Sequence, residues 1–172
     1  MSHPSSLPLS RPVDVGRLPR GRAEVTVEAS AEECAALAGD FGIPAIRDLT
    51  ARFVLSGTTS RLTVTGTVEA MVTQVCTVTL EPFEAPVREP VEVVYSDAPP
   101  PEEPEEASSE GAPEPPDAIA NGRIDLGALT AEFLALGLDP YPRKPGVSFE
   151  PVQAGAESGP FEALRRLKDG GE

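Results

Sequence analysis

From Leu62 to Leu80 the even positions run Leu, Val, Gly, Val, Ala, Val, Gln, Cys, Val, Leu, while the odd ones are mostly Thr, interrupted by Glu69, Met71 and Val75. A period of two over so long a stretch fits only a β-strand with one buried and one wet face. At ~3.3 Å per residue the run would span roughly 60 Å if straight, too long for one flat strand in a small domain. A bend or break is therefore expected at Gly66 or at the polar Gln74.

The flanking sequence supplies partners for such a strand. Val13 and Val15, then Ala23, Val25 and Val27, alternate with polar residues and predict two short strands. Ser30 with Glu33 three places on forms a capping-box signature, Cys34, Leu37, Ala38 and Phe41 make an apolar stripe, and Gly42 and Pro44 close the helix. Cys34 lies on that stripe and reads as a small buried hydrophobe. After Ala51, Phe53 and Leu55, the cluster Ser56 to Ser60 reads as a hairpin loop.

Past the long run, Pro82 to Pro86 predicts a turn. Val87, Val91, Val93 and Tyr95 then predict a returning strand, which Pro90 places at an edge. Asp125 can cap a helix from Leu126 to about Leu138, with Ile124 and Leu129 as a hydrophobic staple and Leu126, Leu129, Phe133 and Leu136 as its buried stripe. The turn from Asp139 to Gly146 carries three prolines and stops it. Phe161, Leu164 and Leu167, with Arg165, Arg166 and Lys168, predict a short peripheral amphipathic helix.

The expected fold is α+β: a curled antiparallel sheet with its Thr face outward, the first helix on its apolar face, an acidic disordered loop and a second, C-terminal helix. The chain divides into a Pro/Arg-rich arm over 1–22, a domain over 23–147 interrupted by 97–117, and a tail over 148–172.

Charge is distributed unevenly. The chain of 172 residues carries 14 Lys and Arg against 28 Asp and Glu, a net −14. Residues 97–117 hold eight acids, seven prolines and no base, so this stretch alone supplies −8. With almost nothing apolar to offset its ordering entropy, it is expected to be disordered. An overall balance of this sign disfavours a nonspecific nucleic-acid or membrane binder. The exception is local: Arg11, Arg17, Arg20 and Arg22 face only Asp14 in the first 23 residues. This arm reads either as a solvated lead-in or as a phosphate-contacting element.

Catalytic signatures are missing. The one His, His3, lies in the lead-in, which excludes a His-dependent triad. No Gly-rich phosphate loop opens a helix. Glu81, Asp125 and Asp139 flank turns or helix ends, where capping accounts for them. Two cysteines 42 positions apart form no metal-binding pattern or disulfide framework, so no metal, cofactor or small-molecule substrate is expected. With no apolar window of ~18 residues and no apolar leader segment, a cytoplasmic protein is expected. Cys76, on the even face of the run, reads as a buried strand cysteine or as a redox or ligand group.

Two stretches carry a resemblance. Val72 to Phe83, containing Gln74, Cys76, Leu80, Glu81 and Pro82, is followed by a Val/Glu strand and an acidic gap. Then come Asp125 and Leu126 within Ile124 to Leu134, and a turn with Pro140, Pro142, Arg143 and Lys144. In this order they resemble the YceD family of large-ribosomal-RNA accumulation proteins, with similarity from about Arg11 to Val147.

The resemblance implies a non-enzymatic cytosolic factor supporting the level or processing of large-subunit (23S) ribosomal RNA. Many relatives carry further cysteines near the positions of Thr79 and of Arg143 to Gly146, so Cys76 here lacks co-ligands. Two partner classes follow. One is ribosomal RNA, gripped by Arg11, Arg17, Arg20, Arg22, Arg143 and Lys144. The other is a basic large-subunit ribosomal protein, escorted by the acidic 97–117 stretch without direct RNA contact. A further reading joins the Glu81–Pro82 turn and the Asp139–Gly146 turn into one contact surface.

Overall fold

The computed structural model describes residues 8–19, 21–98 and 115–148. Three long strands dominate it: β3 (Ala45–Thr58), β4 (Arg61–Val75) and β5 (Pro82–Ser96). Before them come β1 (Pro12–Asp14), β2 (Gly21–Glu28) and helix α1 (Ala31–Phe41); after them β6 (Asp117–Ala118), β7 (Arg123–Asp125) and helix α2 (Leu126–Leu136). The main sheet has the order β2-β3-β4-β5-β6, and β1 pairs separately with β7. All neighbours in the main sheet are antiparallel except β5 and β6, so the sheet is mixed and open rather than wholly antiparallel. The parallel step arises because the chain leaves β5 beyond Ser96 and returns along the same edge, pairing Asp117 with Tyr95.

The period-two run folds as a strand over its first fourteen residues, Leu62 to Val75, and of the two expected breaks the one at Gly66 is absent while the one near Gln74 is present. Gly66 does not bend the strand: it pairs in register with Phe53 and Val91. Its role is steric, because an added Cβ would collide with the Arg52 carbonyl oxygen and stand 2.9 Å from a Phe53 ring carbon. The strand ends just past Gln74, where the alternation gives way to a turn. Cys76 is buried but lies beyond the strand, and Leu80 takes a left-handed φ of 59° with its side chain exposed.

Pro82 to Pro86, expected as a turn, instead opens β5 as a strand in continuous register with β4. Proline removes only an N–H, which an edge strand can spare on its outer side. Ser96 directs its carbonyl outward, accepting from Ile119 N at 2.9 Å. Pro82, Pro86 and Pro90 share its parity and so turn their missing donors to that edge. An incoming strand would find alternate donors absent along this stretch, a guard against edge pairing.

One face of the sheet is apolar: Val27, Leu49, Ala51, Phe53, Leu55, Val64, Val68, Val72, Val87 and Val91 form a continuous core with both helices. A bulge between Arg47 and Thr50, with Asp48 at φ 54°, turns Leu49 inward. Helix α1 has the capping box read from sequence, with Ser30 Oγ accepting from Glu33 N at 3.2 Å and Glu33 Oε2 accepting from Ser30 N at 2.8 Å. Cys34 is buried on it. This helix covers β3, while α2 covers β4 and β5, so two helices rather than one close the apolar face. Helix α2 buries Leu126, Leu129, Thr130 and Leu134 and leaves Leu136 69% exposed, which rotates its buried stripe from the expected one. Val15 lies in a single 3-10 turn after β1 rather than in a strand.

Residues 8–19 are packed into the fold. Leu9 and Val15 are buried, Leu126 N donates to Arg11 O at 3.1 Å, and a Cβ on Gly127 would strike the backbone of Ser10 and Arg11. The acidic stretch over 99–114 and the amphipathic segment over 161–168 lie outside the described residues, as does His3. No helix among the described residues is long and apolar enough to cross a membrane.

Candidate functional site: two turns joined at one end of the sheet

Where β4 ends, the chain makes a tight reversal from Cys76 to Glu81. Leu80 N donates to Cys76 O and Cys76 N to Glu81 O, each at 2.9 Å. The turn that follows α2 lies against it. Gln74, buried, donates from Nε2 to Asp139 O at 2.9 Å; Thr77 N donates to Pro142 O at 2.8 Å. Lys144 N lies 3.4 Å from Cys76 Sγ, and Lys144 Nζ donates to Glu81 Oε2 at 3.0 Å. The two turns, 65 residues apart in sequence at the Gln74–Asp139 bond, thus form one surface.

The chemistry of this end follows from its donors. Cys76 is fully buried, and its thiol is lowered to about 6 by the Lys144 N–H first, then by the Thr79 hydroxyl and the Thr79 and Val78 amides. Cys34, by contrast, is pushed up by burial. Among the described residues no cluster of three His, Cys, Asp or Glu side chains could hold a metal ion. The outer surface is apolar and polar together: Leu80 is 76% exposed and Tyr141 73%, with Arg143 also exposed. A shallow cleft of about 340 Å³ runs between Phe41–Pro44 at the end of α1 and Leu138–Pro140.

Seven of the nine residues on which the sequence resemblance rests meet here: Gln74, Cys76, Leu80, Glu81, Pro82, Pro140 and Pro142. Asp125 and Leu126 lie at the opposite end of α2 and have a structural task. Asp125 Oδ1 accepts from Gly127 N and Ala128 N as the N-cap and from Arg11 N at 2.7 Å, while Oδ2 accepts from Ser10 Oγ. Burial works against its charge, but these donors outweigh it and lower its pKa. Leu126 is fully buried.

The five candidate contact cations among the described residues do not converge. Arg11 donates to both Glu33 oxygens, at 2.8 and 2.9 Å, and to Ser10 O and Glu28 O. Arg17 lies 3.4 Å from Asp14, and Arg22 lies 3.3 Å from Glu24. Arg20 lies outside the described residues. Arg22 stands in the cross-strand row of Ser56 and Thr63, whereas Lys144 sits beside Cys76; twelve residues of β4 separate those rows, roughly 40 Å.

Sequence reasoning missed how the turns are held, through Gln74 and Thr77 to carbonyls, because main-chain acceptors leave no mark on side-chain pattern. It also missed the length of β5. Here a signal existed: Phe83, Ala85, Val87, Val91, Val93 and Tyr95 alternate with polar residues and proline.

No curated protein and no solved structure matches the chain. The family model described as "Large ribosomal RNA subunit accumulation protein YceD" matches residues 64–168, a span that takes in most of β4, both joined turns, β5 and α2. With more than half its length matched, the chain belongs to the YceD family.

Proposed function

We propose that the chain is a non-catalytic, cytoplasmic binding factor for large-subunit (23S) rRNA accumulation, and that it engages a basic ribosomal protein rather than gripping RNA itself. The family description implies the process. The observation that favours a protein partner is the state of the cations. Arg11, Arg17, Arg22 and Lys144 each stand against a carboxylate, and Arg22 and Lys144 lie at opposite ends of the sheet. Such pairs leave little positive potential for a phosphate backbone, whose affinity depends on several unpaired cations acting together. The net −14, with −8 of it in residues 97–117, gives the complementary field for a cationic partner. The joined turns, with Leu80, Tyr141 and Arg143 exposed, are the second contact surface in this reading.

The test is a crosslinked pull-down of the tagged protein from growing cells, with and without nuclease. Nuclease-resistant recovery of a basic large-subunit protein is expected. Nuclease-sensitive recovery of large-subunit RNA, lost when Arg143 and Lys144 are replaced by Ala, would overturn the protein-partner reading in favour of direct RNA contact.

A further inference from the structure

The outer edge of β5 and the exposed side of α2 bound a cleft of about 500 Å³, distinct from the joined turns. Its apolar lining comes from Leu129, Phe133 and Leu136 on α2 and from Val93 and Val94 on β5. Three carboxylates, Glu92, Asp117 and Glu132, line it as well. Pro115 and Pro116 also line it, where the chain returns toward β6. Leu136 is the most exposed large hydrophobic side chain of α2, and both Glu92 and Glu132 are solvent-exposed. Among the described residues no cation pairs with any of these three carboxylates.

We propose that this cleft is the docking site for a basic amphipathic segment of the partner protein, one that sets Lys or Arg side chains against Glu92, Asp117 and Glu132 and an apolar side chain against Phe133 and Leu136. The assignment rests on the protein-partner reading above and specifies where that partner is held.

Three features narrow the occupant. The lining joins an apolar surface to carboxylates alone, which excludes an anionic ligand and fits a cationic one with an apolar face. The field there is negative enough to act on a neighbour: burial first, then the carboxylates of Asp117, Glu132 and Asp125, push the Tyr95 phenol up to about 12. Side chains dominate the contact, because Pro90 ahead of the cleft residues of β5 and Pro115 and Pro116 across it offer no main-chain donor, leaving Glu92 and Val94 as the outward amides of β5 there.

The C-terminal end of the acidic stretch, Asp117 in β6, lines the cleft itself. A polyanionic segment there raises the local concentration of a cationic partner, and the cleft then selects by shape.

The experiment measures binding of two fluorescent probes to the full chain by anisotropy: an amphipathic Lys/Leu helical peptide and an oligolysine of equal charge. Glu92→Gln/Asp117→Asn/Glu132→Gln together are expected to weaken the amphipathic peptide at least tenfold. Leu136→Ser, a surface change that leaves the core intact, is expected to weaken it at least threefold while leaving oligolysine unchanged. Neutralising Arg165, Arg166 and Lys168 to Gln is expected to change nothing; a tenfold gain in peptide affinity would mean that the chain's own basic segment holds the cleft, and would overturn the assignment to a partner. If the cleft variants bind within twofold of the parent, while changing Glu102, Glu103, Glu105, Glu106, Glu110 and Glu114 to Gln abolishes binding, the cleft assignment fails and the protein-partner reading stands. If the parent binds neither probe and the pull-down recovers only RNA, both fail.

Discussion

Arg11 tests whether the first arginine of the chain is a contact or a clamp. Its guanidinium donates to both oxygens of Glu33, which also closes the α1 capping box, so one ion pair fastens the N-terminal segment to the first helix. The Arg11 bonds first, and the Ser30 amide second, lower the Glu33 carboxyl from 4.5 to about 2. Fully expressed, a fall of that size would carry ~3.4 kcal/mol at 1.36 kcal/mol per pH unit. With the Arg11 side chain 40% exposed and that of Glu33 21%, solvent screening reduces the coupling to ~1–2 kcal/mol.

The sign follows from a depressed acid. The contribution is complete above pH 4.5 and is lost as pH falls toward about 2. The assay is a double-mutant cycle by urea unfolding, with Arg11→Met, which keeps the aliphatic stem, and Glu33→Gln, which can still serve the capping box. A coupling of ~1–2 kcal/mol at pH 7 that shrinks by more than half at pH 2.5 is expected. A coupling below ~0.3 kcal/mol at pH 7, or one unchanged at pH 2.5, would refute the clamp. Partner recovery by Arg11→Met is expected to equal that of the parent where both are folded.

Gly66→Ala drives a methyl into the Arg52 carbonyl and the Phe53 ring, and is expected to cost ~2–3 kcal/mol in chemical denaturation; a loss under ~0.5 kcal/mol would show that the strands can part to admit it. Leu80 holds a left-handed φ of 59° with its side chain in water, so Leu80→Asn is expected to raise stability by up to ~1 kcal/mol while lowering partner recovery. A stability loss with recovery intact would remove Leu80 from the contact surface. Cys76 is expected to ionise near pH 6, read as thiolate absorbance near 240 nm that vanishes in Cys76→Ser. Because its folded pKa lies below the ordinary 9.0, its stabilising contribution is complete above 9.0 and declines as pH falls through about 6; absorbance rising only above pH 8.5 would contradict the donor arrangement around the sulfur.

The local elements were legible because their causes are local. Ser30, Glu33 and Gly42 fix α1 by cap chemistry that acts within a few residues, and Asp125 starts α2 in the same way. The alternation from Leu62 fixes β4 and the face it buries, since every second side chain must leave water together. The family, too, was readable from the order of short motifs.

Other features depended on contacts that alternation and propensity do not encode. Cys76 to Leu80 continue the period-two pattern yet leave the sheet, because Gln74, Thr77 and Lys144 tie that segment to the turn after α2. Proline at 82 and 86 predicts a turn only if the missing N–H is needed, and its direction toward a free edge is a property of the assembled sheet. Arg11 looks like a free cation in a one-dimensional count of charge. Its acid, Glu33, 22 residues away, is brought to it by the packing of the N-terminal segment. Sequence by itself therefore determined helices α1 and α2 and the face that β4 buries, since those choices rest on neighbours along the chain. Only the tertiary structure decided which charges stay available and which turns share a surface, because pairing and juxtaposition are set by distances through space.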